Sequence, residues 1–232
     1  MDYKVLKNEY YEIIFPSKYE EDIKEILEYS TNKLIENLNF FNKESYGKVI
    51  HASFFDEKSE FLSRIHELDK NANPPDWAKG CFYGEENQIL FEKDYIKNRF
   101  YTLAHESCHL LFSKFIYNNY KNRVVWLDES FAASFSGEID EEQKNGRFKE
   151  IVKKYINYDS LPNMNEISFK NNNIKTNEYD AYDFFHIVGR YLIEINSKEE
   201  LLSFYKEEEK VLKLGENILS ESLMYFKQKF SL

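Results

Sequence analysis

Five histidines occur in the 232-residue chain, and two of them fall in His105-Glu106-Ser107-Cys108-His109. On a helix, residues four apart lie one turn apart, so both imidazoles leave the same face and can converge on one metal ion. Glu106 stands about 100° round the helix from His105. It can reach a water activated by that metal without ligating the metal itself. Neutral imidazoles suit zinc, and two of them with one carboxylate leave a fourth position for water, the arrangement of a catalytic site. The pattern therefore predicts bound Zn2+ with Glu106 as general base. Tyr101, Leu103, Ala104, Leu110, Leu111 and Phe112 make the surrounding segment apolar nearly all round, which predicts a buried helix. A buried imidazole pair beside a carboxylate needs partners, and a cation supplies them.

A third ligand should come from a carboxylate on a nearby helix. Trp126-Leu127-Asp128-Glu129-Ser130-Phe131-Ala132 offers two, Asp128 and Glu129, with eighteen and nineteen residues respectively between each and His109. Here the chain resembles the gluzincin zinc metallopeptidases, whose third ligand is a Glu on the helix after the H-E-x-x-H helix. The wording is similar to the W-L-N-E-G-F-A block of the aminopeptidase N branch, which usually uses the eighteen-residue spacing; thermolysin uses nineteen. The apolar residues on either side fix the register and favour Glu129 over Asp128. The resemblance implies a metal site of His105, His109 and Glu129.

The resemblance extends downstream. In Tyr182-Asp-Phe-Phe-His-Ile-Val-Gly-Arg-Tyr191-Leu192, the placement of Tyr182 is similar to that of the family's transition-state tyrosine, whose hydroxyl helps hold the oxyanion. That implies a catalytic role for Tyr182, with Tyr179 one turn earlier as the alternate. The family's Lys-Gly after this Tyr is replaced by Phe184 and Phe185. Leu161-Pro162-Asn163-Met164-Asn165-Glu166-Ile167 is also similar to a short linker of small peptidases of this type. The aminopeptidases carry a G-A-M-E-N strand whose Glu binds the substrate amine. The matching stretch, Gly80-Cys81-Phe82-Tyr83-Gly84, has no acid before Glu85 and Glu86. Endopeptidase activity is therefore expected over aminopeptidase activity, with the strand itself able to pair with an extended peptide. The branch's acid seven residues after the ligand Glu is Ser136 here, with Glu138 as a substitute. The alternative function is a catalytically weak metal-binding domain with a binding or regulatory role, suggested by these missing features.

The elements that must position these residues read as follows. Glu9–Phe15, closed by Pro16, is a strand. From Ser17, as N-cap, the apolar positions Ile23, Ile26, Leu27, Leu34, Leu38 and Phe41 predict an amphipathic helix. Val49–Phe55 is a strand, Glu57–Leu68 a helix, and Asn71–Trp77 a loop. Gly80–Tyr83 and Gln88–Phe91 predict a hairpin or sheet edge. Beyond Asp94 the pattern is helical, over about 95–119, 124–137, 140–157, 178–195, 198–209 and 216–229, with Gly137, Gly146 and Gly215 as helix ends. The fold expected is α+β. The resemblance sharpens this to a single thermolysin-like, gluzincin-type catalytic domain over 1–232. Its N-terminal lobe, about 1–120, would hold a small mixed sheet and the H-E-x-x-H helix, and its C-terminal lobe, about 121–232, would be mainly helical.

Composition narrows the partners. A net charge of −10 argues against nucleic acid, because phosphate contacts need a basic surface. Seven Gly and four Pro are too few for a turn-dense all-β chain. No apolar run approaches a membrane span and no secretory leader is visible, so a cytoplasmic protein acting on peptide or protein substrates is expected. Cys108 reads as a packed core thiol and Cys81 as core or half-buried. His186 reads as a hydrogen-bonded helix residue, and His51 and His66 as structural.

Overall fold

The computed structural model describes residues 2–74, 78–84, 87–98, 100–117, 123–158 and 160–232. They fall into two units, Met1–Phe115 and Ile116–Leu232. The architecture is α+β, with one mixed sheet and helices making up most of the chain.

In the first unit, β1 (Tyr3–Lys7), β2 (Tyr11–Pro16), β3 (Ile50–Phe55), β4 (Gly80–Tyr83) and β5 (Gln88–Glu92) form a sheet in the order β1-β2-β3-β5-β4. The three central strands are parallel, and each edge strand runs antiparallel to its neighbour. Parallel neighbours need long crossovers, and these carry α1 (Glu20–Phe40) and α2 (Lys58–Leu68). Strand β2 alternates: Tyr11, Ile13 and Phe15 are fully buried, while Ile14 faces outward. Strand β5 does not alternate. Its Ile89, Leu90 and Phe91 are all buried, because both sheet faces are covered there. Leu90 packs with Phe61 and Ile65 of α2, and Phe91 stacks on Phe54 of β3 at 4.8 Å. Two helices follow, α3 (Asp94–Asn98) and α4 (Thr102–Phe115), and α4 lies against α1, β4 and β5.

The second unit is helical: α5 (Val125–Phe135), α6 (Glu138–Lys144), α7 (Arg147–Tyr155), α8 (Ala181–Ile195), α9 (Lys198–Phe204), α10 (Glu208–Gly215) and α11 (Ile218–Phe230). Helices α5 and α8 pack at close range. A Cβ at Gly189 would stand 2.4 Å from the Ser130 carbonyl oxygen and 2.7 Å from Ser134 Oγ, so only glycine lets the two backbones approach this far. Trp126 Nε1 donates to Asn165 Oδ1 at 3.0 Å, and Asn165 Nδ2 donates to the Leu212 carbonyl at 2.6 Å. These bonds tie the start of α5 to α10. Helix α11 closes the unit through Phe226, whose ring meets Phe148 of α7 edge-on at 5.0 Å.

Several boundaries differ from the sequence reading. The segment 95–119 holds two helices, α3 and α4, with α4 ending at Phe115; Arg99, Asn118 and Asn119 lie outside the described residues. The chain leaves the helix between them, where Phe100 meets Tyr29 of α1 edge-on at 4.8 Å. The segment 140–157 also divides, because Gly146 adopts a left-handed φ of 82° before α7. Ser17 does not cap α1. It opens a 3-10 turn over Ser17–Tyr19, and Glu20, Glu21 and Asp22 serve the helix N-terminus instead. Helix α8 starts at Ala181 rather than 178, because the Asp180 side chain accepts from the Tyr182 amide as its cap. Helix α9 ends at Phe204, and α10 is a separate helix beyond it. Strand β1 has no counterpart in the sequence reading. Parts of the 71–77 loop (Pro75, Asp76 and Trp77) and of the hairpin turn (Glu85 and Glu86) lie outside the described residues. Among the described residues, no helix is long and apolar enough to cross a membrane.

Candidate metal centre

Helix α4 carries His105, Glu106 and His109. Leu103, Ala104, Cys108, Leu110, Leu111 and Phe112 are each essentially inaccessible, so the helix is buried nearly all round, as its composition predicts. Both imidazoles are buried, with ring centroids 5.0 Å apart and planes at 73°. The Phe82 ring of β4 lies flat on His109 at 5.3 Å, and Phe112 meets it edge-on at 6.3 Å. Glu106 is half-buried.

Helix α5 is equally apolar, yet it buries two adjacent carboxylates. Asp128 is fully buried and Glu129 is 4 % exposed. Consecutive helix residues point about 100° apart, so the two carboxylates serve different partners. Asp128 forms an ion pair with Arg123 Nε at 3.1 Å. Glu129 belongs to another group: one ligand atom from each of His105, His109 and Glu129 lies within 4.8 Å of the others. Among the described residues, this is the one group of three or more His, Cys, Asp or Glu side chains that could hold a metal ion. Asp128, the competing candidate, is not in it.

The donor set suits zinc. Two imidazole nitrogens and one carboxylate oxygen, all on buried residues, are the ligand types of a catalytic zinc site. Gathering them away from water is costly without a cation to face.

Tyr182 sits in the first turn of α8, half-buried, with its ring edge-on to Phe185 at 5.6 Å and Lys175 Nζ 5.7 Å from the ring centroid. Tyr179 precedes the helix, tilted against Phe184 at 5.1 Å. Burial, and then the nearby Glu178 and Glu166 carboxylates, push the Tyr179 hydroxyl above its usual range. Ser136 is fully buried; its hydroxyl donates to the Ala133 carbonyl at 3.1 Å and accepts from the Glu138 amide at 3.4 Å. Glu138 and Glu142, one turn apart on α6, both turn toward His186. Glu142 Oε2 is 2.8 Å from Nδ1, Glu138 Oε1 is 3.7 Å from Nε2, and Arg147 Nε stands 3.1 Å from the other Glu142 oxygen. His186 is thus a buried, carboxylate-bonded helix residue.

The cysteines are not among the grouped ligands. Cys108 is fully buried, and its Sγ accepts from Asn37 Nδ2 at 3.3 Å. Burial, reinforced by the Glu106 carboxylate, pushes the Cys81 thiol well up. His66 Nε2 lies 3.2 Å from the Ala72 carbonyl, and His51 pairs loosely with Glu12 at 3.7 Å.

The sequence alone does not assign Phe82, Tyr11 or Arg123 to the surroundings of these side chains. Phe82 and Tyr11 lie on strands far from α4 in the chain, so no local spacing marks them. Arg123 lies before α5 and five positions from Asp128, outside the three- and four-residue spacings that mark helical pairs, so its ion pair is seen only in the structure. The chain matches no protein-family model and no curated protein sequence.

Proposed function

We propose that this chain is a zinc-dependent peptidase of the gluzincin type, with a thermolysin-like fold. The observation that carries the reading is the meeting of His105, His109 and Glu129 ligand atoms within 4.8 Å. Those three residues would hold the metal. Bound there, zinc would supply Lewis acidity, making water nucleophilic near neutral pH and polarising the scissile carbonyl. Glu106 would take the proton of the attacking water and deliver it to the leaving amine. Tyr182 is assigned the donor to the oxyanion, on the resemblance of its helix. Strand β4 has β5 as its neighbour at one end of the sheet, a position that favours pairing with an extended peptide. Such pairing does not need a free amine, so internal bonds are the proposed targets.

The test is hydrolysis of unstructured peptides by zinc-loaded protein, with products identified by mass. Glu106→Gln should keep zinc and lose roughly 100- to 10,000-fold in rate. A Glu106→Gln variant that cleaves as fast as the unchanged protein would sink the mechanism. A second reading, a metal-holding module without turnover, draws on Ser136, whose hydroxyl serves the backbone where the aminopeptidases carry an acid. Zinc bound at one per chain with no cleavage of any peptide would favour it.

A further inference from the structure

The two histidines can meet one ion only if α4 is held at the right rotation about its own axis. A helix that is apolar on one side has that rotation fixed by burial. Helix α4 is apolar nearly all round, so burial fixes its position more firmly than its rotation. The tolerance is small. Side-chain tips lie about 6 Å from a helix axis, so a rotation of roughly 10° moves an imidazole nitrogen by about 1 Å. Metal–ligand distances tolerate only about 0.2 Å. Directional contacts must therefore set the angle.

Such a contact lies behind the imidazoles. Tyr11 of β2 is fully buried, and its hydroxyl donates to Ser107 Oγ at 2.9 Å. Ser107 Oγ in turn donates to the Leu103 carbonyl one turn earlier, at 2.7 Å. At about 100° per residue, Ser107 stands roughly opposite the midpoint of His105 and His109 on the helix. The phenol thus grips the back of α4 while the imidazoles leave its front. Burial pushes the Tyr11 hydroxyl far above its usual range, so it remains a neutral donor. A second contact from α1, Asn37 Nδ2 to Cys108 Sγ at 3.3 Å, grips the adjacent position.

We propose that Tyr11 is a positioning residue for the metal-holding face of α4, acting through the Ser107 hydroxyl from the opposite side of the helix. The inference rests on the proposed zinc site and adds to it a residue 94 positions before the first ligand. Tyr11 meets neither the metal nor a substrate; it sets the angle at which the ligands are presented. Removing its hydroxyl leaves Ser107 still bonded to Leu103, so Tyr11→Phe strands no buried donor and preserves the ring's packing.

The experiment measures the zinc dissociation constant by chelator competition, and the visible absorption of the Co2+-loaded protein, for the unchanged chain and five variants. Tyr11→Phe and Ser107→Ala should each weaken zinc binding about 10-fold, the low end for residues that orient metal ligands, and should shift the Co2+ bands. The double variant should be no weaker than the worse single one, since both remove the same grip. Phe61→Leu, which loosens the α2 cluster in the same unit, should lower the melting temperature with the dissociation constant unchanged. Tyr11→Phe and Ser107→Ala with unaltered zinc affinity and unaltered Co2+ bands would overturn the proposal alone. If the unchanged chain binds no zinc, or binds it equally after His109→Ala, the metal reading itself fails.

Discussion

The Phe82 ring lies parallel to the His109 imidazole, 5.3 Å between centroids and 17° between planes. The contact joins strand β4 to a proposed zinc ligand and fixes the plane in which that imidazole can present a nitrogen. A stacked pair of this kind contributes about 0.5–1.5 kcal/mol beyond its burial. Phe82→Ala is expected to weaken zinc binding by roughly 2- to 10-fold, and Phe82→Tyr to leave it unchanged. Competition titration reads both, and equal affinity for Phe82→Ala would show that the stack does not orient His109.

The adjacent carboxylates Asp128 and Glu129 should separate by experiment. Asp128 is fully buried and paired with Arg123 at 3.1 Å, so Asp128→Asn should cost stability, about 1–3 kcal/mol, with zinc affinity within about twofold. Glu129→Gln should do the reverse. It relieves a buried charge at small cost to the fold, and weakens zinc binding by at least about 10-fold through loss of an anionic ligand. Denaturant unfolding in the presence of chelator, set beside metal titration, distinguishes the two. A strong loss of zinc from Asp128→Asn would move the third ligand to that residue.

Zinc itself should stabilise the chain. An ion that binds only the folded state at about 100 times its dissociation constant contributes roughly 2.7 kcal/mol, which for a chain of this size raises the melting temperature by about 5–10 °C. Ligating imidazoles must be neutral, and histidine ordinarily titrates near pH ~6.5. The zinc-dependent shift should therefore be full at pH 7.5 and lost by about pH 5. Scanning calorimetry with zinc and with chelator measures it. A shift that survives His105→Ala would place the stabilising ion elsewhere.

These outcomes also divide what was legible in the sequence from what was not. The His105–His109 pair could be read because four residues are one turn, a relation contained within a single helix. Strand β2 could be read because Glu9–Phe15 is rich in aromatic and β-branched residues and is closed by Pro16. Strand β1 could not: Lys4, Val5 and Lys7 are exposed and Tyr3 and Leu6 only half-buried, so no buried apolar face marks the segment. The break before α7 was marked by Gly146, but the break before α4 carries no Gly or Pro; Phe100, which precedes that helix, packs edge-on against Tyr29 of α1. The supports of the site were hidden for the same reason. Tyr11 and Ser107 are 96 positions apart, and pairing at that distance is decided by how the sheet seats the helix, which no local periodicity encodes.

The Gly189 crossing links packing to the site. A methyl group there would stand 2.4 Å from the Ser130 carbonyl oxygen, which is backbone and cannot turn away. Helices α5 and α8 would have to separate, at a cost of about 1–3 kcal/mol or more. Glu129 immediately precedes Ser130, so the displacement falls on the carboxylate assigned to the proposed zinc site. Gly189→Ala should lower the melting temperature by several degrees and weaken zinc binding together. A variant with unchanged stability would mean that the helices do not approach this closely.

Stability of the second unit should fall in acid through Glu194. Burial raises this carboxylate's pKa, but Lys229, Tyr225 and Arg190 outweigh it and hold the group below the usual carboxylate range. Tyr225 donates to it at 2.8 Å and Arg190 Nε at 2.7 Å, while Lys229 supplies a further ion pair. A carboxylate depressed in the folded state contributes stability that is fully present above its unfolded pKa, about 4.5. That contribution is lost as pH falls through the lower folded value. Glu194→Gln should therefore cost roughly 1 kcal/mol at pH 7 and progressively less as pH falls below about 4.5, giving a shallower acid limb than the unchanged chain. Urea unfolding between pH 7 and pH 3 measures the two slopes; parallel curves would mean that the three donors contribute nothing to the folded state.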